Sequence, residues 1–341
     1  MQSYDQKNYK FFYNWLIFSF FLVFLMVIVG GLTRLTNSGL SITEWELFSG
    51  ILPPLNNDSW NRYFSLYKEI PQYELINSDM TIEKFKIIFY WEYFHRLLGR
   101  IIGIFFLIPL LYFHFILKVD KKYISICYII FSLILIQGIV GWYMVKSGLV
   151  NDVTVSHFRL SLHLSIAFVI IALIFWTILN IKKKTFKIFF NFKKNSFLLF
   201  FLIVIIFIQI IMGAFVSGLD AGQIYQTWPL MNNGFFPNDI VIDKVKVFFD
   251  LNDHSLVQFY HRNIAYFILF YTLIIGLSIF KNNQKNLIKP FYIFITILFL
   301  QVFLGIITLI SGLNILLASG HQIFSLLLML SAINLYYYHI K

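Results

Sequence analysis

Short polar segments divide the chain into long apolar runs. Eight runs have about 20 residues or more, which is the length that an α-helix needs to cross a hydrocarbon layer roughly 30 Å thick. Each run therefore predicts a membrane-spanning helix. The runs cover approximately residues 11–32, 87–117, 123–145, 158–181, 196–217, 256–280, 290–312 and 315–340.

The longest polar segment, residues 33–86, separates the first two runs. It contains an aromatic stripe with helical spacing after Asn57, which predicts a short amphipathic helix in the membrane interface. The alternative is a loop that only covers the helix bundle. The stripe consists of Trp60, Tyr63, Phe64 and Tyr67.

The second half of the chain repeats the first. Glu-Tyr-Phe-His-Arg at 92–96 is echoed by Gln-Phe-Tyr-His-Arg at 258–262, and Gln137-x-x-x-Gly141 by Gln301-x-x-x-Gly305. Because each half has an even number of spans, both copies share one orientation. The prediction is an all-α integral membrane protein whose eight transmembrane helices form two parallel-repeat four-helix bundles. The predicted halves are residues 1–181 and 196–341, joined by a cytoplasmic linker at 182–195.

Composition and charge exclude a soluble protein and indicate the orientation. The chain is 59% hydrophobic and 13% charged, whereas soluble domains have about 25% charged residues. Its 27 Lys and Arg against 16 Asp and Glu indicate membrane orientation and no nucleic-acid partner. If the helices alternate, the face with both termini carries most lysines, which predicts cytoplasmic termini. We call the opposite face outer.

Four of the eight histidines lie inside spans, within about two turns of the outer face. A single such histidine is more often a hydrogen-bonded core residue. Four at matched depth, two per half, favour metal ligation. Cys127 is the only cysteine, so thiolate clusters and intramolecular disulfides are excluded. The four residues are His95, His163, His261 and His321.

Two facing imidazoles in a helix bundle are the usual axial ligands of a haem iron. We therefore pair His95 with His163 and His261 with His321. A zinc or copper site would need three or four ligands converging in one half, and neither half supplies them.

All six arginines fall on the outer side, where the haem propionates would lie. Arginine suits planar, bidentate contact with carboxylates. Arg96 and Arg262, each next to a proposed ligand, and Arg100, one turn further, are the candidates to bind the propionates. The alternative is that topology places the lysines and that the arginine positions are incidental.

The two halves differ one helical turn before the first ligand of each pair. The N-terminal half has Glu92 there and the C-terminal half has Gln258. A carboxylate can act as a general base or stabilise a cation, whereas an amide cannot titrate. This predicts chemistry in the N-terminal half and electron handling or support in the C-terminal half. A purely structural Glu92, paired with Arg96, is the alternative.

The motifs together resemble the haem A synthase family over essentially the whole chain. The resemblance implies an inner-membrane enzyme of bacteria that oxidises the C8 methyl of haem O to a formyl group by successive hydroxylations. The motifs are Gly30-Gly31-Leu-Thr-Arg34, Asn37-Ser-Gly-Leu-Ser-Ile-Thr-Glu-Trp45, Gly50-Ile-Leu-Pro-Pro54, Glu92-Tyr-Phe-His-Arg96, Gly99-Arg100, Thr227-Trp-Pro229, His261-Arg262 and His321-Gln322.

Carried over by residue, the resemblance implies haem O at His95 and His163, oxidation served by Glu92, and a haem b cofactor on His261 and His321. Some family members have cysteine pairs in outer loops, and this sequence is similar to the branch without them. Haem O synthase, an unidentified electron donor and membrane lipid are the expected partners, and a homo-oligomer is left open. A two-haem electron carrier of b type is the alternative function.

Overall fold

A computed structural model describes residues 2–44, 49–149, 153–190, 196–241 and 245–340. These residues contain one isolated β-bridge, no strand and ten α-helices. Eight of the described helices are long and apolar enough to cross a membrane, α2 and α3 being the exceptions. The helices are α1 Gln2–Leu35, α2 Asn57–Lys68, α3 Pro71–Ile76, α4 Ile82–Phe115, α5 Lys121–Gly148, α6 His157–Lys182, α7 Phe197–Gly218, α8 His254–Lys281, α9 Lys285–Ile310 and α10 Ile315–His339.

The all-α membrane fold with eight spanning helices is confirmed. Three helices begin five or more residues earlier than predicted, α1 at Gln2 instead of residue 11, α4 at Ile82 instead of residue 87 and α9 at Lys285 instead of residue 290. The first turns of α4 are amphipathic and bury Phe85. A span predicted from continuous hydrophobicity therefore does not include them.

Side-chain caps fix the start of three helices that carry in-span histidines. Thr81 caps α4, Asp253 caps α8 and Asn314 caps α10, each by accepting a hydrogen bond from a backbone N–H two or three residues further on. A cap satisfies a donor that the helix leaves unpaired and stabilises by about 1 kcal/mol. The caps therefore fix how many residues separate each histidine from the start of its helix.

Contacts divide the chain into an N-terminal unit, Met1–Ile178, and a C-terminal unit, Leu179–Lys341. The described part of the predicted linker packs within the C-terminal unit. The Thr185 and Tyr337 hydroxyls are hydrogen-bonded at 2.7 Å, and the Lys187 N–H donates to Asn180 Oδ1 at 3.0 Å. Residues 191–195 of that linker lie outside the described ranges. The repeat arrangement and the cytoplasmic termini stay predictions.

The amphipathic helix predicted in the first outer segment corresponds to α2. Its Trp60 and Tyr67 are buried, and they pack against Phe89 and Phe85 of α4. This aromatic face is covered by protein, which favours the interpretation of α2 as a cap on the bundle over a helix lying in lipid. Trp45, part of the motif in this segment, lies outside the described residues.

A hydrogen-bond network centred on Tyr67 joins α2 to α3. The Tyr67 hydroxyl donates to Gln72 Oε1 at 3.0 Å and accepts from Asn77 Nδ2 at 2.8 Å. Gln72 Nε2 donates to the carbonyl of Asn37 at 3.3 Å. Burial raises the pKa of Tyr67, so at neutral pH the hydroxyl keeps its proton and remains a donor.

Replacing Tyr67 with phenylalanine should loosen the outer segment, because Gln72 and Asn77 would each lose a buried partner. The expected cost is about 1–3 kcal/mol, which corresponds to roughly 10-fold to 100-fold faster amide hydrogen exchange over residues 57–77. Tyr73→Phe is the control, since the hydroxyl of Tyr73 donates to Ser78 at an exposed site. Equal exchange in the two variants would contradict this role of Tyr67.

Candidate functional site

The four in-span histidines form two pairs, one in each unit. The ring centres of His95 on α4 and His163 on α6 are 6.4 Å apart, with the ring planes at 87°. Those of His261 on α8 and His321 on α10 are also 6.4 Å apart, with the planes at 78°. These are the two pairs that the sequence predicts.

Both separations suit an iron held between two imidazoles. A metal–nitrogen bond to histidine is about 2.0–2.1 Å and the nitrogen lies about 1.1 Å from the ring centre, so the centres of two opposed ligands are about 6.3 Å apart. Among the described residues, no group of three or more His, Cys, Asp or Glu could hold a metal. A haem iron needs only two protein ligands, because the porphyrin supplies the others.

Each histidine ring lies against a glycine of the preceding spanning helix. A Cβ added to any of these glycines would be only 2.8–3.2 Å from a ring atom, whereas carbon atoms pack at about 3.5–4.0 Å. Each glycine therefore lets a histidine ring approach the backbone of the neighbouring helix, and we call the four glycines the cradle. The contacts join Gly30 to His95, Gly141 to His163, Gly213 to His261 and Gly305 to His321.

In α5 and α7, a glutamine one turn before the glycine donates a hydrogen bond to the histidine of the next spanning helix. Gln137 Nε2 donates to the carbonyl of His163, and Gln209 Nε2 donates to the carbonyl of His261, each at 2.9 Å. Gln209 Nε2 is also 3.4 Å from the Nε2 of His261. These bonds tie the ligand turn of one helix to its neighbour.

Gln301 of α9 occupies the same position beside His321. Its Nε2 is 3.4 Å from His321 Nε2, and its backbone carbonyl is 3.2 Å from His321 Nδ1. The sequence showed Gln-x-x-x-Gly at 137 and 301 only as an echo. The third copy, at Gln209, was not identified from the sequence, although the same spacing occurs there. The contact of all three glutamines with a histidine was not predicted either.

Several buried polar atoms at these rings have no hydrogen-bond partner in the described structure. A histidine Nδ1–H that donates to a neighbour leaves Nε2 free to bind a metal, and a side-chain amide oxygen is a suitable acceptor. An unpaired Nδ1 beside an unpaired amide oxygen therefore fits a histidine whose Nε2 is left to bind a metal. The atoms are Nδ1 of His163 and His261 and Oε1 of Gln137, Gln209 and Gln301.

Glu92 is buried one turn before His95 on α4. Its carboxylate accepts hydrogen bonds from the Ser41 hydroxyl and the Ile42 N–H, both at 2.8 Å. It also accepts from Arg96 Nη2 at 2.6 Å and Nε at 3.0 Å. The ion pair considered in the structural alternative is therefore present, and it fixes the carboxylate one helical turn before His95.

Gln258 is buried at the corresponding position in the C-terminal unit. Its Nε2 donates to the carbonyl of Tyr225 at 2.9 Å, and its Oε1 has no partner among the described residues. Glu92 and Gln258 thus both join their helix to the outer segment of their own unit. Of the two, only the carboxylate can exchange a proton.

Arg96 and Arg262 bind backbone carbonyls of the outer segments. Arg96 Nη2 donates to Ile42 at 2.8 Å, and Arg262 donates through Nη2 to Tyr225 and through Nη1 to Thr227, both at 2.8 Å. Arg262 Nε is buried and has no partner among the described residues, so it keeps a donor for a further acceptor. Propionate binding by these arginines stays a prediction.

Arg100 lines a small pocket of the N-terminal unit together with Arg96. The other walls include Glu44, Tyr63 and Tyr93. Two guanidinium groups at one pocket suit a ligand that carries carboxylates.

Comparison with known proteins gives one consistent family. The model of a family described as cytochrome oxidase assembly protein matches residues 13–333. The haem A synthase of Pelagibacter ubique is 52% identical over 328 residues, 96% of each chain. The haem A synthases of Flavobacterium psychrophilum and Rickettsia africae are each 41% identical, over 95% and 96% of this chain and 96% and 97% of their own. The chain belongs to the haem A synthase family.

Membership of the haem A synthase family confirms the resemblance read from the motifs. Assignment to the branch of haem A synthases without loop cysteines stays a prediction. The single cysteine, Cys127, is buried in α5.

Proposed function

We propose that this protein is a haem A synthase that oxidises the C8 methyl group of haem O to a formyl group by successive hydroxylations. Relatives that carry this name match nearly the full chain. The observation that carries the proposal is the difference between two otherwise matched sites, with a buried Glu92 one helical turn before His95 and a buried Gln258 one helical turn before His261.

His95 and His163 of the N-terminal unit would hold haem O as the substrate. Haem b is the resident cofactor in the C-terminal unit, between His261 and His321, where it supplies one-electron transfer. The 6.4 Å spacing of both pairs and the glycine beside each ring support this assignment.

Glu92 acts on the reacting methyl group, either as a general base or by stabilising positive charge. A buried carboxylate is costly unless it is paired and hydrogen-bonded. The Ser41 hydroxyl, the Ile42 N–H and the Arg96 guanidinium meet this requirement and hold the carboxylate one turn from His95. A positioned base of this kind contributes about 10²-fold to 10⁴-fold to a reaction rate.

Arg96 and Arg100 bind the propionates of haem O, and Arg262 binds a propionate of haem b. The pocket shared by Arg96 and Arg100 supports the first assignment. The unpartnered, buried Nε of Arg262 in the described structure supports the second.

The protein lies in the inner membrane of a bacterium, with both termini in the cytoplasm. The lysine-rich connections on the side of the termini support this orientation. Haem O synthase supplies the substrate, and an electron donor outside this chain takes part in the reaction.

Extraction of the pigments from purified protein tests the function. The protein is expressed together with a source of haem O, and the haems are identified by mass spectrometry. We expect haem A and its hydroxylated precursor together with haem b. Haem b alone would favour the two-haem electron carrier, an alternative that the matched geometry of the two pairs keeps open.

A further inference from the structure

The helix that faces His95 differs from the three helices that face the other histidines. In α5, α7 and α9 a glutamine stands one turn before the cradle glycine, whereas α1 has Met26 one turn before Gly30. The thioether fits because Gly99 of α4 leaves room for it. The Cε of Met26 is only 3.4 Å from the position that a Cβ of Gly99 would occupy.

The His95 ring also meets its glycine in a different orientation. The ring atom nearest to a Cβ built on Gly30 is Nε2 of His95, at 3.2 Å. In the other three contacts the nearest ring atom is Cε1, at 2.8–3.1 Å. His95 is therefore the exception among the four histidines in both its neighbour and its ring orientation.

A glutamine can both donate and accept hydrogen bonds, whereas a thioether has no donor and is a weak acceptor. Gln137 and Gln209 each donate to the backbone carbonyl of the histidine that they face, and Gln209 and Gln301 each lie 3.4 Å from the ring Nε2 of their histidine. Met26 can supply His95 with no such bond. Loss of a hydrogen bond at the second ring nitrogen of a metal-binding histidine typically weakens metal binding by about 10-fold to 100-fold. We expect a bond that fixes the backbone of the histidine to act in the same direction.

We propose that Met26 makes His95 the exchangeable ligand of the haem that the N-terminal unit would hold, and that His163, whose backbone carbonyl is bonded to Gln137, is the permanent ligand. This rests on the proposed function, since a substrate must leave its site and a resident cofactor must not. Both glutamine-backed histidines of the other pair belong to the site assigned to the resident haem. The exchangeable position lies on the face of α4 that also carries Glu92.

Binding of carbon monoxide to the reduced, haem-loaded, full-length protein tests this proposal. Carbon monoxide binds ferrous haem where an axial ligand can be displaced, and it shifts the absorption spectrum. In the unsubstituted protein it should bind at the N-terminal unit and not at the C-terminal unit. Met26→Gln should raise the Kd for carbon monoxide by about 10-fold to 100-fold.

Met26→Leu is the matched control, because leucine also offers no hydrogen bond. It should leave the Kd for carbon monoxide unchanged. The reciprocal variant, Gln209→Met, should allow carbon monoxide to bind at the C-terminal unit as well.

Three results would overturn the proposal. The first is an unchanged Kd in a Met26→Gln protein that retains both haems. The second is a changed spectrum of the carbon monoxide-free protein with Met26→Leu, which would make the thioether itself a ligand. If Met26→Gln does not fold, Gln209→Met decides, and the absence of carbon monoxide binding at its C-terminal haem is the third.

Failure of the proposed function is distinguishable in the same samples. The mass of the extracted haems reports whether haem O is oxidised, whereas carbon monoxide binding reports on His95 for any haem bound there. Haem b in both units together with a Met26-dependent Kd would reject the reaction and keep the inference about the ligand.

Discussion

Replacing Glu92 with glutamine should lower haem A formation by about 10²-fold to 10⁴-fold, with both haems still bound. The amide keeps the shape of the side chain, and its oxygen can accept hydrogen bonds from Ser41 and Ile42. Its NH2 group then faces Arg96 and cannot accept from it, and the amide cannot take up a proton. The measurement is the rate of haem A formation per chain in membranes that contain haem O. Haem content is determined on the same protein.

Glu92→Asp separates the catalytic role from the structural alternative. Aspartate keeps the titratable group, but its shorter side chain cannot reach all the donors that Glu92 contacts. A catalytic role predicts more activity in the aspartate variant than in the glutamine variant. Equal or greater activity with glutamine would contradict a role of Glu92 as a proton acceptor.

Gly305→Ala should weaken the binding of haem b in the C-terminal unit. The new Cβ would lie 2.8 Å from Cε1 of His321, so the ring has to move out of its position against α9. Loss of ligand orientation weakens metal binding by about 10-fold to 100-fold, and haem b per purified chain should fall accordingly. The amount is read from the pyridine haemochrome spectrum.

Gly320→Ala is the control for this variant, because it adds the same methyl group next to His321 in sequence. A Cβ at Gly320 has no heavy atom within 4 Å, so haem b content should stay at the level of the unsubstituted protein. Equal haem b content in the two alanine variants would contradict the cradle function of Gly305.

Hydropathy and histidine depth were sufficient to predict the spanning helices and the two histidine pairs. Both follow from the period of the helix and the thickness of the membrane, so they can be predicted from each segment of the sequence by itself. The cradle was not predicted, because the sequence does not show which face of α9 meets α10. Gly305 and Gln301 gain their meaning only from that contact.

The arginines show a second limit of sequence reasoning. Residue type and depth in the sequence predict that Arg96 and Arg262 bind propionates. The structure adds backbone acceptors, the carbonyls of Ile42 and Tyr225. A backbone carbonyl has no signature in the sequence, so the role of both arginines in tying helix to outer segment could not be foreseen.

In the proposed function the two units hold different haems with different fates. Mass spectrometry of the haems extracted from His163→Ala and His261→Ala proteins, each produced with a source of haem O, tests it most directly. We predict that His163→Ala retains haem b and lacks haem O and haem A, and that His261→Ala lacks haem b and retains haem O. Loss of the same haem from both variants would contradict the account.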